Sequence, residues 1–200
     1  FKKIYVQAAA GDAGGAIGAA LTTWYSFSHA KNQKRKILHD HAYWGPSFTN
    51  EYIGKLLNTQ KDTIEKQNCV VEKFSDFLKL TQITAKEIAE GKVVGWFQGK
   101  MEWGPRSLGN RSIVCDPRRA DMKDILNLKI KRRESFRPFA PSILNEAVSK
   151  WFEQDNDVPF MMQVYQIIEN KRIEIPAVTH VDGSGRLQTV SKKTNPRYYS

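Results

Sequence analysis

Cysteine is scarce in this chain of 200 residues, with only Cys69 and Cys115. Two thiols cannot build a disulfide scaffold or a structural zinc site; they suit a reduced, cytoplasmic setting in which both pack as small apolar residues. Long apolar runs are also missing. The longest uncharged apolar stretch falls well short of the ~20 residues a bilayer demands, which excludes a transmembrane helix and a membrane partner of that kind. No signal-peptide pattern and no initiator Met opens the chain, which starts at Phe1 in what reads as a strand, so it is expected to be a piece cut from a chain more than twice as long. Acid is in deficit, with 21 Asp+Glu against 31 Lys+Arg and a net charge of +10. What is present is a full complement of core formers: 40% hydrophobic and 11% aromatic residues exclude a disordered chain. The length suits one domain, or one and a piece of another.

A pI near 9.6 points to nucleic acid, phosphate or an acidic surface as partner. The charge is local. Between Lys92 and Arg137 stand twelve Lys/Arg and five Asp/Glu, a net of +7, and the rest is close to neutral.

Ile4 to Gln7 reads as a strand, followed by a Gly/Ala-rich turn and a helix from about Gly14, where small residues let another backbone or a ligand approach closely. The basic stretch Lys31 to Lys36 reads as a connector between two units. A helix is expected over Asn50–Cys69, capped by Thr49 or Asn50, and Thr84 with Glu87 matches a capping box for a helix that stops at Gly91. Strands are expected at Val93–Gln98, Ser112–Cys115, Ser142–Leu144, Met161–Ile168, Ala177–Val181 and Leu187–Val190, the last two joined as a hairpin through Asp182-Gly183-Ser184-Gly185. Helices are expected over Asp121–Ile130 and Glu146–Phe152. Strands and helices alternate without a regular repeat, which makes the class mixed α/β (α+β).

Two stretches concentrate the chemistry. Between Gln98 and Ser112 a strand delivers a loop with Gly99, Gly104, Gly109, Pro105, Arg106 and Arg111. Glycines bring backbone amides to an anion, and Arg adds a planar fork for phosphate or carboxylate. On spacing alone an ordinary solvated loop explains it equally well. The second stretch, Lys129 to Ser142, interleaves Lys131, Arg132, Arg133 and Arg137 with Phe136, Pro138, Phe139 and Pro141. Basic runs are more often solvated faces, and cations suit a helix C-terminus; the interleaving places Arg137 in a partly dry setting that calls for an anionic partner. Arg186, after the Asp-Gly-Ser-Gly turn, carries no weight alone. The histidines show no metal spacing beyond His39-Asp40-His41, which reads more readily as a polar loop, and no Ser/His/Asp order or Cys/His pair stands out.

Val6 to Leu21, Tyr43-Trp44-Gly45-Pro46-Ser47, Met101 to Ile113 and Phe136 to Ser142 together resemble the nodulation-protein-U type O-carbamoyltransferases, in order along the chain. The resemblance implies two units: residues 1–40 as the end of an actin-like ATPase (ASKHA) type carbamoyl-transfer domain, and 41–200 as most of a YrdC-like domain, a mixed twisted β-sheet with flanking helices. It implies that the second unit takes carbamoyl phosphate and ATP to a carbamoyl-adenylate. The first, with a divalent metal (Mg or Fe), then passes carbamoyl to an acceptor hydroxyl on a sugar or natural product. By motif, Arg106, Lys131, Arg137 and Arg186 are implied to surround the phosphorylated substrates, Lys131 and Arg137 as catalytic groups. Gly11, Gly14 and Gly18 are implied to form a nucleotide-binding turn with Asp12 on the metal. The histidine ligands of that metal and the last stretch of the second pocket are expected to lie beyond this chain, so that it binds anions without turning over by itself. The rivals are an RNA- or nucleotide-binding module, for which no aromatic pair sits at stacking spacing, and a tRNA-directed threonylcarbamoyl-type enzyme of the same fold, against which the Gly-Asp turn argues.

Overall fold

A computed structural model describes residues 6–27 and 40–200. Helix α1 (Asp12–Ser26) is followed by α2 (Asn50–Thr59), α3 (Lys61–Lys66) and α4 (Phe77–Ala89), then strands β1 (Val94–Phe97) and β2 (Arg111–Val114). A short α5 (Met122–Asp124) runs into π-helical turns over Ile125–Lys131 and leads to β3 (Ser142–Leu144). After a 3₁₀ stretch at Asn145–Lys150 come β4 (Tyr165–Gln166), two further 3₁₀ turns, β5 (Ser184–Gly185), β6 (Gln188–Val190) and α6 (Pro196–Tyr199). The class is α+β. Among the described residues the strands pair in twos: β1 with β2 and β4 with β5 antiparallel, β3 with β6 parallel. No helix among them is long and apolar enough to cross a membrane.

Burial is divided among three clusters. The largest gathers Val148, Phe152, Val158, Tyr165, Ile167, Ile175, Val178 and Leu187. A second joins Ala8 and Ala42 to Leu108 and Phe160, and a third joins Met122, Leu126 and Ala177. Phe139 packs against both the first and the third, so the residue that follows the basic run is also a joint of the core.

Several local expectations are corrected. Helix α4 begins seven residues before Thr84: the Asp76 carboxylate accepts from the Leu78 and Lys79 N–H groups at 2.9 and 3.4 Å, and Thr84 sits inside the helix with its hydroxyl donating to the Leu80 carbonyl. An earlier carboxylate cap followed by good helix formers outcompetes the later hydroxyl. The single helix expected over Asn50–Cys69 breaks at Gln60, and the one over Asp121–Ile130 becomes mostly π-helical, ended by Arg132 in the left-handed region at φ 49°. Glu146–Phe152 gives a 3₁₀ stretch, and Met161–Ile168 shrinks to β4 and a bridge between Ile167 and Phe152.

The hairpin expected from Ala177 to Val190 does not form. Pro176 starts a 3₁₀ turn through Val178, and the two short strands beyond Gly183 diverge, β5 to β4 and β6 to β3. The turn signal itself holds: Gly183 has φ 79° and the Asp182 carboxylate accepts from the Ser184 N–H at 3.0 Å. Cys69 is exposed rather than packed, while Cys115 is half-buried. Of the strand expected at Ile4–Gln7, Ile4 and Tyr5 lie outside the described residues, and Val6 and Gln7 are not in a strand. The connector Lys31–Lys36 and His39 also lie outside them.

The capping assignment is testable by chemical denaturation. Asp76→Ala is expected to destabilise by about 1 kcal/mol, the usual cost of a lost N-cap, whereas Thr84→Ala changes stability by no more than a few tenths.

Candidate functional site

The ladder between β1 and β2 continues one step beyond Phe97 and Arg111, with the Gln98 N–H donating to the Asn110 carbonyl at 3.0 Å. The chain between them must turn through Gly104 and Gly109 at φ 110° and 104°, conformations that side chains rarely adopt. A Cβ on Gly109 would overlap the Tyr198 ring, and one on Gly104 would press on Ala9 and Ala8 at 3.1–3.2 Å. The small residues near the N-terminus therefore serve a backbone approach, and the approaching backbone is this loop.

At the centre of the loop lies the carboxylate of Glu102, whose side chain is 0% exposed. Its Oε1 accepts from the Leu108 and Asn110 N–H groups at 2.6 and 2.9 Å, and its Oε2 from Arg111 Nε at 3.1 Å. Around it, the Leu108 carbonyl accepts from the Tyr43 hydroxyl and Gln188 Nε2, while Gln98, Asn110 and Asn195 exchange side-chain bonds. Burial pushes the Tyr43 phenol up to about 12. The tip of this fastened loop is Pro105-Arg106-Ser107.

A second buried polar residue shapes the basic run. Asn127, also 0% exposed, donates to the Ser135 and Arg137 carbonyls and accepts from Arg133 Nε at 2.7 Å. Arg133 is thereby laid over the Phe139 ring, its guanidinium carbon 4.7 Å from the centroid.

A cavity of about 210 Å³ receives Arg106, Lys131, Arg133 and Arg186, with the hydroxyl-bearing Ser142 and Tyr198 on its wall and no Asp or Glu in its lining among the described residues. The Nε atoms of Arg106 and Arg186 are buried without a hydrogen-bond partner. Burial first, and then the like charges of Arg106 and Arg133, lower the pKa of Arg186. Elsewhere in the basic region several cations are matched: Arg111 pairs with Glu102, Arg118 with Asp116, Arg119 with Asp121. The cations of the cavity, by contrast, have no ion pair among the described residues, so their mutual repulsion is uncompensated. Converging guanidiniums with unused donors have the chemistry to receive an oxyanion.

Three of the four cations expected around phosphate, Arg106, Lys131 and Arg186, line the same cavity. Arg137 does not: its side chain is 55% exposed and 3.7 Å from Glu134, which corrects the expectation of a dry setting. Beside Lys131, a second member of that run lines the cavity: Arg133, which sequence reasoning passed over because three adjacent cations give no sign of which ones turn in. Glu102 and Asn127 were also missed; a lone acid in a Gly-rich basic loop was the available signal for the first.

An apolar cavity of about 140 Å³ adjoins the cationic one, and Ile113, Phe139, Ser142 and Tyr198 line both. Cys115, on the wall of the apolar cavity, is held as a thiol by burial, its pKa pushed up to about 11. It is not poised as a nucleophile.

Gly11, Asp12, Gly14 and Gly18 do not line the cationic cavity. Asp12 is exposed at the start of α1, Gly11 and Gly18 face open space, and Gly14 is buried where a Cβ would strike Gln7 and the Ala9 carbonyl. No group of three His, Cys, Asp or Glu among the described residues is arranged to hold a metal, so Asp12 alone does not make a divalent-metal site.

Residues 85–200 match the family described as carbamoyltransferase C-terminus. Over its whole length the chain is 46% identical to nodulation protein NolO of Bradyrhizobium diazoefficiens, of which it covers 35%. It is 33% identical, again over its whole length, to 3'-hydroxymethylcephem-O-carbamoyltransferase of Amycolatopsis lactamdurans, covering 34% of that protein. Over 110 residues, 55% of the chain, it is 44% identical to nodulation protein U of Bradyrhizobium diazoefficiens, covering 19% of that protein. The chain spans about a third of the length of the first two of these curated relatives. With more than half its residues in the family match and its cationic site inside that span, the chain belongs to the carbamoyltransferase C-terminus family.

Proposed function

We propose that this domain binds carbamoyl phosphate and ATP and forms a carbamoyl-adenylate, from which carbamoyl passes to an acceptor hydroxyl. The observation that carries the reading is the cavity where Arg106, Lys131, Arg133 and Arg186 meet without an acid, two of them with buried, unpartnered Nε donors. Membership of the family supports the carbamoyl part. A relative whose name specifies O-carbamoylation of a hydroxymethyl group supports a small hydroxyl acceptor.

The chemistry needs such a cluster. Water releases carbamate and inorganic phosphate from carbamoyl phosphate. A carbamate oxygen then bonds the α-phosphorus of ATP as the bond to the bridging oxygen breaks and pyrophosphate leaves. In the transfer step the acceptor oxygen bonds the carbamoyl carbon, its proton goes to solvent, and AMP departs. Two polyanions must first be held together, and fixed Arg and Lys cancel their repulsion while stabilising charge on the transferred oxygens. Arg106 and Arg186 orient the phosphates through planar forks, and Lys131 supplies a mobile point charge at the end of the π-helical turns. Arg133 presents a guanidinium already immobilised on Phe139. Arg137 contributes through its carbonyl, which fastens the loop to Asn127. Phe139, on the cavity wall, is covered by Arg133 and is not free to stack on a base.

The test is pyrophosphate release by the intact protein supplied with ATP and carbamoyl phosphate. Release should depend on carbamoyl phosphate, and Arg106→Ala or Arg186→Ala should each lower kcat/KM by about ten- to a hundredfold, the loss of charge-assisted bonds worth ~1.5–3 kcal/mol. Unchanged release in both variants would sink the reading. Arg137→Ala is expected to change kcat/KM by less than about threefold, as for an exposed ion pair; a loss matching Arg106→Ala would show that its side chain reaches the substrates.

A further inference from the structure

The loop between β1 and β2 contains a carboxylate where a phosphate site should have none. Glu102 stands four residues before Arg106 and yet does not neutralise it. Its Oε1 accepts from two backbone N–H groups on the far side of Arg106, those of Leu108 and Asn110, and its Oε2 accepts from Arg111. The carboxylate therefore ties the two ends of the segment Trp103–Ser107 together, and Arg106 sits within that closed segment. Arg111 reinforces the closure by donating also to the Gly104 carbonyl.

Arg106 has reason to need this. Its Nε is buried without a partner and it shares the cavity with Lys131, Arg133 and Arg186. Like charges and an unmet donor both favour turning the side chain out to water, so its inward placement depends on the backbone that carries it. Fixing that backbone beforehand removes an ordering cost from ligand binding.

Resting on the proposed phosphate-binding role of the cavity, we infer that Glu102 is a positioning residue for Arg106. It touches no substrate; it fixes the loop so that the Arg106 guanidinium is ready for a phosphate oxygen. The role belongs to both oxygens, Oε1 on the two N–H groups and Oε2 on Arg111, and Asp is one methylene too short to reach the same N–H groups.

The experiment measures pyrophosphate binding to the intact protein by calorimetry in four variants. Arg106→Ala is expected to weaken binding about tenfold, the loss of one charge-assisted contact. Glu102→Ala should weaken it by a similar factor, and the double variant no further than Arg106→Ala alone, because the two residues act through one contact. Glu102→Gln keeps Oε1 for the two N–H groups but sets its amide NH2 against the Arg111 Nε–H, so its affinity is expected between those of the wild type and Glu102→Ala. If Glu102→Ala does not fold, Glu102→Asp replaces it in the cycle. A general loss of structural integrity would instead multiply the two effects, to about a hundredfold in the double variant, and that result overturns the inference. Wild-type affinity in Glu102→Ala, or in Glu102→Asp where that replaces it, also overturns it. If Arg106→Ala itself leaves binding unchanged, the phosphate-binding reading of the cavity fails, and the positioning role falls with it.

Discussion

A buried carboxylate with three N–H donors is costly to rearrange, because any movement leaves a charge or a donor without a partner in a place water does not reach. Glu102 is in that position. Removing one side of such a buried pair typically costs about 3–5 kcal/mol. The Gly104 and Gly109 turns, the seat of Tyr198 on Gly109 and the packing of Ala8 and Ala9 on Gly104 all take their geometry from the loop that this carboxylate closes. Leu108 within the loop is also part of a hydrophobic cluster, so the polar fastening and the apolar core share a residue.

Asn127 does the same work from the other side. By bonding the Ser135 and Arg137 carbonyls and Arg133 Nε, it converts a run of basic residues into a defined turn. The outcome is electrostatic selection. Cations that meet acids are neutralised and face outward, as Arg118 and Arg119 do, while Arg106, Lys131, Arg133 and Arg186 meet one another. Part of the charge that first suggested nucleic acid is thereby gathered, unpaired, in a cavity of about 210 Å³.

Elements set by local chemistry were legible. The strand Ser142–Leu144, the helix stop at Gly91 and the Asp182–Gly183 turn each rest on one or two residues whose preference nothing opposes. Where two local signals competed, sequence reading chose wrongly: the Thr84 and Glu87 pattern was real, but Asp76 lay upstream with a better acceptor. Strand pairing was not legible. A two-residue strand such as β5 carries too little pattern to specify its neighbour, and Pro176 diverted the segment expected to pair with β6.

The sequence by itself determined that the chain is an α+β unit with a local cationic excess. It also carried a Gly-rich loop and an aromatic–basic run whose motifs point to carbamoyl transfer, because composition and short motifs are properties of neighbouring residues. Only the tertiary structure decided which cations meet. Arg106, Lys131 and Arg186 come from three separate segments, Arg133 turns inward and Arg137 outward within one run, and Glu102 spends its charge on Arg111 and the loop backbone. Those choices depend on burial and on long-range hydrogen bonds, which act between residues far apart in the chain.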